Sequence, residues 1–321
     1  MKTKRNDLID SLRGIAIFLV ILGHSIIYYP INLHNNLTCE SIFKFVVSVH
    51  IPLFFLVAGY CYSFKSSYKD YICKKIKRLM IPYFIFNFID MFLRATVTGM
   101  INRSRGIAES LYKIFFEGGE YWFLYVLFLI FLLIPVLDKK ILKSRKVFLV
   151  FILLLFIINL FLPQINFLMF SRFINYLFYF ILGFYLKKYH QNIFEIDIHL
   201  SIIISMFLVS LVAWILLLPF TNYKIIEILV ALIGILCIFA ISHINIIVNL
   251  FKKFSDYSLQ LYLLNGYSLT VSRYIIVNLL NVKNSAIIII WNMLLDFYVC
   301  YIIIKYIISK SKILKKIFGM V

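Results

Sequence analysis

Apolar residues dominate this chain in long runs, and short clusters of lysine, arginine and asparagine separate these runs. A run of about 20 such residues, wound at about 1.5 Å of rise per residue, matches the hydrocarbon thickness of a bilayer. Scanning for runs of that kind predicts ten helices, roughly over 12–30, 42–63, 79–97, 121–137, 147–163, 170–187, 199–219, 225–242, 256–280 and 286–308. The predicted fold class is all-α, a polytopic membrane helix bundle of about ten transmembrane helices. No stretch reads as a soluble domain, a low-complexity linker or an internal repeat, so residues 1–321 are expected to form a single transmembrane domain.

Composition agrees, since 63% hydrophobic and 18% aromatic residues exceed what a soluble core of 321 residues requires. The cations sharpen the picture. Lys2, Lys4 and Arg5 precede the first run; Lys65, Lys69, Lys74, Lys75, Lys77 and Arg78 lie between the second and third; Lys139, Lys140, Lys143, Arg145 and Lys146 lie between the fourth and fifth. Lys187, Lys188, Lys252, Lys253 and the tail from Lys305 to Lys316 continue the alternation, whereas the opposite connections carry only Arg103, Arg105, Lys113, Lys224 and Lys283. By the positive-inside rule both termini are cytoplasmic, and an even number of spans agrees. The net charge of +19 therefore reports topology and contact with anionic lipid, and nucleic acid need not be invoked as a partner. The expected location is the plasma or inner membrane, as a multi-pass protein.

A cleaved signal peptide is not expected, because the first apolar stretch is long, contains Arg13 and His24, and lacks a small-residue cleavage site. The five cysteines (Cys39, Cys61, Cys73, Cys237, Cys300) show no metal-type spacing, so neither a disulfide framework nor a metal site is predicted. Asn36-Leu37-Thr38 is a glycosylation sequon that counts only in a eukaryotic cell. The longest outer connection, roughly 98–120, holds Gly106, Gly118 and Gly119 and has the length to fold back over an outward cavity.

Candidate chemistry rests on polar residues inside apolar runs, which are costly in hydrocarbon and usually face a cavity or a partner. Arg13 and His24 lie eleven residues apart, on nearly one face of a helix and about 16 Å apart along it. An obligate cation near the cytoplasmic surface thus shares a helix with a titratable base set deeper. Arg13 either serves a ligand or only snorkels to headgroups, and Asp10 either pairs with it or favours the helix N-terminus. His24 falls about 9 Å below the outer end of its helix at Pro30, and His50 about 12 Å below the start of the next, so the imidazoles share a depth. Pro52, two residues beyond His50, frees the carbonyl of Ser48 and is expected to bend the segment. Asn87, Asp90 and Arg94 form a stripe at i, i+3 and i+7, in which Asp90 and Arg94 can pair. Asp90, about 10 Å below the outer surface, suits either the orientation of a histidine or an ion pair that locks helices together.

Five segments stand in a set order: the run Leu8-Ile9-Asp10-Ser11-Leu12-Arg13-Gly14-Ile15-Ala16 closed by Gly23-His24, then His50-Ile51-Pro52-Leu53-Phe54-Phe55-Leu56-Val57-Ala58-Gly59-Tyr60. Lys75-Ile76-Lys77-Arg78-Leu79-Met80-Ile81-Pro82-Tyr83, Tyr121-Trp122-Phe123-Leu124 and Ser258-Leu259-Gln260-Leu261-Tyr262-Leu263-Leu264 follow. In that order they resemble the opening helix, the second-helix signature, the basic entry to helix 3, the opening of helix 4 and the late-helix motif of the acyltransferase-3 family of integral membrane acyltransferases, of the fucose 4-O-acetylase-like or polysaccharide O-acetyltransferase type. Two departures stand out. Lys75 replaces the first of two arginines frequent in the family, and Asn265, which does not titrate, stands where many members carry histidine.

The resemblance implies an O-acyltransferase, transferring groups other than amino-acyl groups, that commonly moves acetyl from acetyl-CoA to a hydroxyl of an envelope or exported glycan or its lipid-linked precursor. On that implication the catalytic residues are His24, His50 and Asp90; Arg13, Lys75 and Arg78 contact the phosphates of the acyl-CoA; and Glu120, Tyr121 and Trp122 bind the acceptor. Tyr121 and Trp122 equally suit an interfacial aromatic belt, and Glu117 and Glu120 equally suit solvated loop charges. His24 acts either as general base or as a transient acyl carrier. A secondary transporter, a lipid-linked glycan carrier and a noncatalytic partner of a glycan synthase are the competing classes.

Overall fold

The computed structural model of the protein describes residues 7–27, 36–96, 106–190, 193 and 198–320. Lys2, Lys4, Arg5, Pro30, Arg103 and Arg105, used above to read topology and depth, lie outside the described residues. Among the described residues every regular element is helical: α1 (Asp7–Ile27), α2 (Leu37–Tyr60), α3 (Tyr68–Lys75), α4 (Ile81–Thr96), α5 (Ile107–Phe116), α6 (Trp122–Lys140) and α7 (Arg145–Phe161). They continue as α8 (Phe170–Tyr189), α9 (Leu200–Leu217), α10 (Lys224–Ile241), α11 (Asn245–Ser255), α12 (Ser258–Arg273), α13 (Ser285–Ile302) and α14 (Lys312–Ile317).

Seven helical stretches among the described residues are long and apolar enough to cross a membrane. The chain is an integral, polytopic membrane protein. The other three predicted spans correspond to α4, α7 and α12, of 16, 17 and 16 residues. A π-helical turn at Ile76–Met80 runs into α4, and another at Tyr274–Leu279 extends α12. The short helices α3, α5, α11 and α14 fall in stretches that the search for apolar runs left as connections, because they are too brief or too polar to register. α2 starts earlier than its apolar run because the Asn36 side chain accepts the Cys39 N–H at 3.1 Å, and Lys44 pairs with Glu40 at 2.7 Å one turn on. It runs unbroken through Pro52.

The chain forms two compact units. The first comprises residues 1–61 and 183–302. Its centre is α1, which packs against α2, α11, α12 and α13 and buries Leu12, Ala16, Ile17 and Ile21. Small size permits the α1–α11 contact: a β-carbon on Gly14 would stand 2.0 Å from the Phe251 carbonyl oxygen. Lys252 bonds Asp7 at 2.8 Å and Ser255 bonds Asp10 at 2.8 Å, so the acidic first turn of α1 meets the basic last turn of α11. α9 packs on α10, and α10 on α2.

The second unit comprises residues 62–182 and 303–321. Here α6 lies against α3 and the Ile76–Met80 turn, α5 and α14 against α4, and Tyr83, Leu124, Ile130, Ile134, Phe148 and Phe180 are fully buried. Outward-facing apolar side chains are abundant on α7 and α9, including Val150, Leu153, Val209 and Leu216, as expected where acyl chains replace water.

Candidate active site

In the first unit α1 is buried around most of its circumference, and Arg13 in its second turn and His24 in its last turn are its half-buried polar exceptions. Asp10 accepts from Ser255, and Arg13 forms no ion pair or hydrogen bond among the described residues. Of the two roles open to Asp10, pairing with Arg13 is therefore not the one realised. The guanidinium stands uncommitted, five donors on a planar fork that matches phosphate or carboxylate oxygens.

His24 lies in the last turn of α1 and His50 on α2, which packs along α1, and the two imidazoles are within coulombic reach of each other. His50 Nδ1 is 2.5 Å from the Val46 carbonyl, so Nδ1 carries the proton and donates it. That bond leaves Nε2 as the acceptor side of the neutral ring. On the same helix Ser48 Oγ donates to Phe45 and receives a bond from Trp214 Nε1 at 3.2 Å. A hydrogen bond thus ties α9 to the turn that bears His50.

A polar seam between α12 and α13 was not singled out from sequence. Ser272 Oγ donates to Asn292 Oδ1 at 2.8 Å, and the Cys300 thiol lies 3.3 Å from Asp296 Oδ1. Asp296 also accepts from Ser268 and lies within coulombic reach of Arg273. Asn292 and Asp296 are fully buried, and Asn292 Nδ2, Asp296 Oδ2 and Asn265 Nδ2 lack hydrogen-bond partners among the described residues. Arg273 Nη2 donates to the His24 carbonyl at 2.5 Å. The signal that marks these residues is the one used for His24: Arg273 and Asp296 are ionisable groups inside the predicted spans 256–280 and 286–308.

In the second unit α4 presents the predicted Asn87, Asp90 and Arg94 stripe to a small recess, whose walls include Lys113 of α5 and Glu120. Arg94 Nε bonds Asp90 Oδ2 at 2.6 Å and Arg94 Nη2 lies 3.5 Å from Glu120 Oε2, so one guanidinium bridges two carboxylates. Asn87 organises the rim: Nδ2 donates to the Tyr83 carbonyl, and Oδ1 accepts the Glu120 N–H at 2.9 Å. Gly119, at φ +56, sits so close that a β-carbon would stand 2.2 Å from Asn87 Oδ1. The Tyr83 hydroxyl, donating to the Ile114 carbonyl, ties α4 to α5 below.

Tyr121 is buried, with its ring 5.8 Å from that of Phe86. Trp122 is half-buried, stacked on Tyr176 at 5.6 Å, with the Arg172 guanidinium 4.3 Å from its ring centre. The Lys75 ammonium lies 3.6 Å above Phe131 and 5.1 Å from the Tyr71 ring. Burial pushes the Tyr71 phenol up, so its ring stays neutral and able to hold the cation. Arg78 is exposed.

A family model described as an acyltransferase domain matches residues 6–309. Nodulation protein NolL of Mesorhizobium japonicum is 29% identical over 140 residues, which is 42% of this chain and 37% of that protein. The match thus spans well under half the length of that relative. No solved structure matches the chain.

Proposed function

The chain belongs to the acyltransferase-3 family, and from that membership we propose that it is a membrane O-acyltransferase that moves acetyl from acetyl-CoA to a glycan hydroxyl. The acceptor is an envelope or exported glycan or its lipid-linked precursor, and the enzyme works in the plasma or inner membrane with both termini cytoplasmic. The observation that carries the reading is α1, which bears in its second turn an arginine without an ion pair among the described residues and in its last turn a half-buried histidine.

In this reading Arg13 takes a phosphate of the donor. His24 takes the proton of the acceptor hydroxyl as its oxygen bonds to the thioester carbonyl carbon; the carbon–sulfur bond breaks, and the proton passes from His24 to the departing thiolate. His50, with Nδ1 donating to the Val46 carbonyl, directs Nε2 as a second acceptor on the helix that packs along α1. In the second unit, the two carboxylates and the one guanidinium of the Asp90–Arg94–Glu120 group are acceptors and a donor suited to sugar hydroxyls.

The test is transfer of label from radiolabelled acetyl-CoA in membranes containing the wild type or His24→Ala at matched protein levels, counting label in glycan and in protein. Glycan labelling is expected to fall by about 100-fold or more in the variant. Protein-bound label lost in parallel assigns the acyl-histidine route in place of general-base catalysis. Equal glycan labelling in both removes His24 from catalysis, and no labelling in the wild type overturns the donor and acceptor named here.

A further inference from the structure

We propose that Arg273 is a positioning residue for His24: its guanidinium, balanced by Asp296, clamps the His24 peptide and so sets the aim of the imidazole. This rests on the reading of His24 as the catalytic base.

The argument begins with the end of a helix. The last four carbonyls of a helix have no donor within it, and this end carries the negative pole of the backbone dipoles. His24 lies in the last turn of α1, and its carbonyl accepts Arg273 Nη2 at 2.5 Å. The donor comes from α12, 249 residues away along the chain. A bond donated by a guanidinium is charge-assisted and stronger than one between neutral groups.

Its surroundings strengthen it further. Ile26, two residues along α1 from His24, shares a buried apolar cluster with Ile276, three residues beyond Arg273, and with Ile288, and the bond itself is part-buried. In such apolar surroundings the bond gains strength, and an unmatched carbonyl or guanidinium becomes costly. Asp296, fully buried and hydrogen-bonded to Ser268 and Cys300, lies within coulombic reach of the positive charge in the same unit. α12 gives way to a π turn directly after Arg273, a widening of the kind that clusters at functional sites.

Charge balance alone would not need α1. An arginine present only to neutralise Asp296 has no reason to end on another helix, and this one ends on the peptide of the residue that carries the imidazole. A shift of about 1 Å at a reacting group costs roughly 100-fold in rate, which is the scale of effect expected when the clamp is lost.

Arg273→Met leaves Asp296 without its counter-charge, so the informative variant is Arg273→Met with Asp296→Asn, which removes both charges together. With acetyl transfer measured per folded protein in detergent, the double variant is expected to lose about 100-fold in kcat while KM for donor and acceptor stays within about threefold. Arg273→Lys, which keeps the charge and one donor, is expected to recover to within about tenfold of the wild type. A double variant with wild-type kcat overturns the proposal and leaves Arg273 a mere counter-ion.

A second measurement needs no turnover. Carbethoxylation of His24, followed by mass spectrometry against the exposed His199 as internal standard, is expected to run about threefold faster in the double variant, because local opening becomes easier. Equal rates overturn the clamp. A wild type that transfers no acetyl, together with a faster His24 reaction in the double variant, would sink the catalytic reading and leave the clamp standing.

Discussion

Arg13 shows how much one side chain's bonding state decides. Half-buried and without an ion pair among the described residues, it contributes no salt bridge to stability, so its removal should be felt mainly by a ligand. Arg13→Ala is expected to raise KM for acetyl-CoA by roughly 10- to 100-fold, the worth of one charge-assisted phosphate contact, with little change in kcat or in protein level. An unchanged donor KM would return Arg13 to a headgroup-snorkelling role. Arg13, His24 and the Asp90–Arg94 pair were all visible in the sequence, since each is an ionisable group at helical spacing from another on its own helix. Arg273 and Asp296 stood equally plainly in apolar runs, but the partners of Arg273 lie on other helices. No local spacing points from Arg273 to the carbonyl of His24.

At the scale of elements, the crossing of α1 and α11 depends on a missing side chain. A methyl group at Gly14 would meet the Phe251 carbonyl at 2.0 Å, backbone against side chain, with no flexible atom to move aside. Gly14→Ala is expected to destabilise by about 1–3 kcal/mol, read as a lower unfolding midpoint in detergent. Gly266→Ala, where nothing lies within 4 Å of the added carbon, serves as the control and should hold or slightly raise the midpoint. An unchanged midpoint in Gly14→Ala would mean that α11 can lift off α1 at no cost. The capped starts of α2, α3, α7 and α14, on Asn36, Ser67, Ser144 and Ser311, follow ordinary helix chemistry. At α2 and α7 the cap starts the helix ahead of its apolar run, because it satisfies backbone donors before hydrophobicity begins.

For the whole molecule, the orientation read from the cations has a direct check in the protein's own thiols. Cys73 on α3 is exposed, whereas Cys39, Cys237 and Cys300 are buried. With the basic connection at 64–78 on the cytoplasmic side, a membrane-impermeant maleimide should label Cys73 in inverted vesicles and leave it unmodified in intact cells. Labelling in intact cells would reverse the topology, and with it the side from which Arg13 meets the donor. Cys73→Ser identifies the labelled site.

Membrane residence, helical class, the approximate place of each span and the candidates Arg13, His24 and His50 were fixed by the order of residues alone. Hydrocarbon forces backbone groups to pair within each segment and makes every buried charge conspicuous, so one-dimensional patterns carry that information. What only the folded chain decided is which polar groups spend their bonds on each other. Asp10 goes to Ser255 and Arg13 forms no ion pair among the described residues, His50 donates to its own helix, and Arg94 is shared by Asp90 and Glu120. Arg273 reaches back to the peptide of His24. Those choices depend on distances between segments far apart in the chain, and helix packing sets such distances through side-chain shape that no local periodicity encodes.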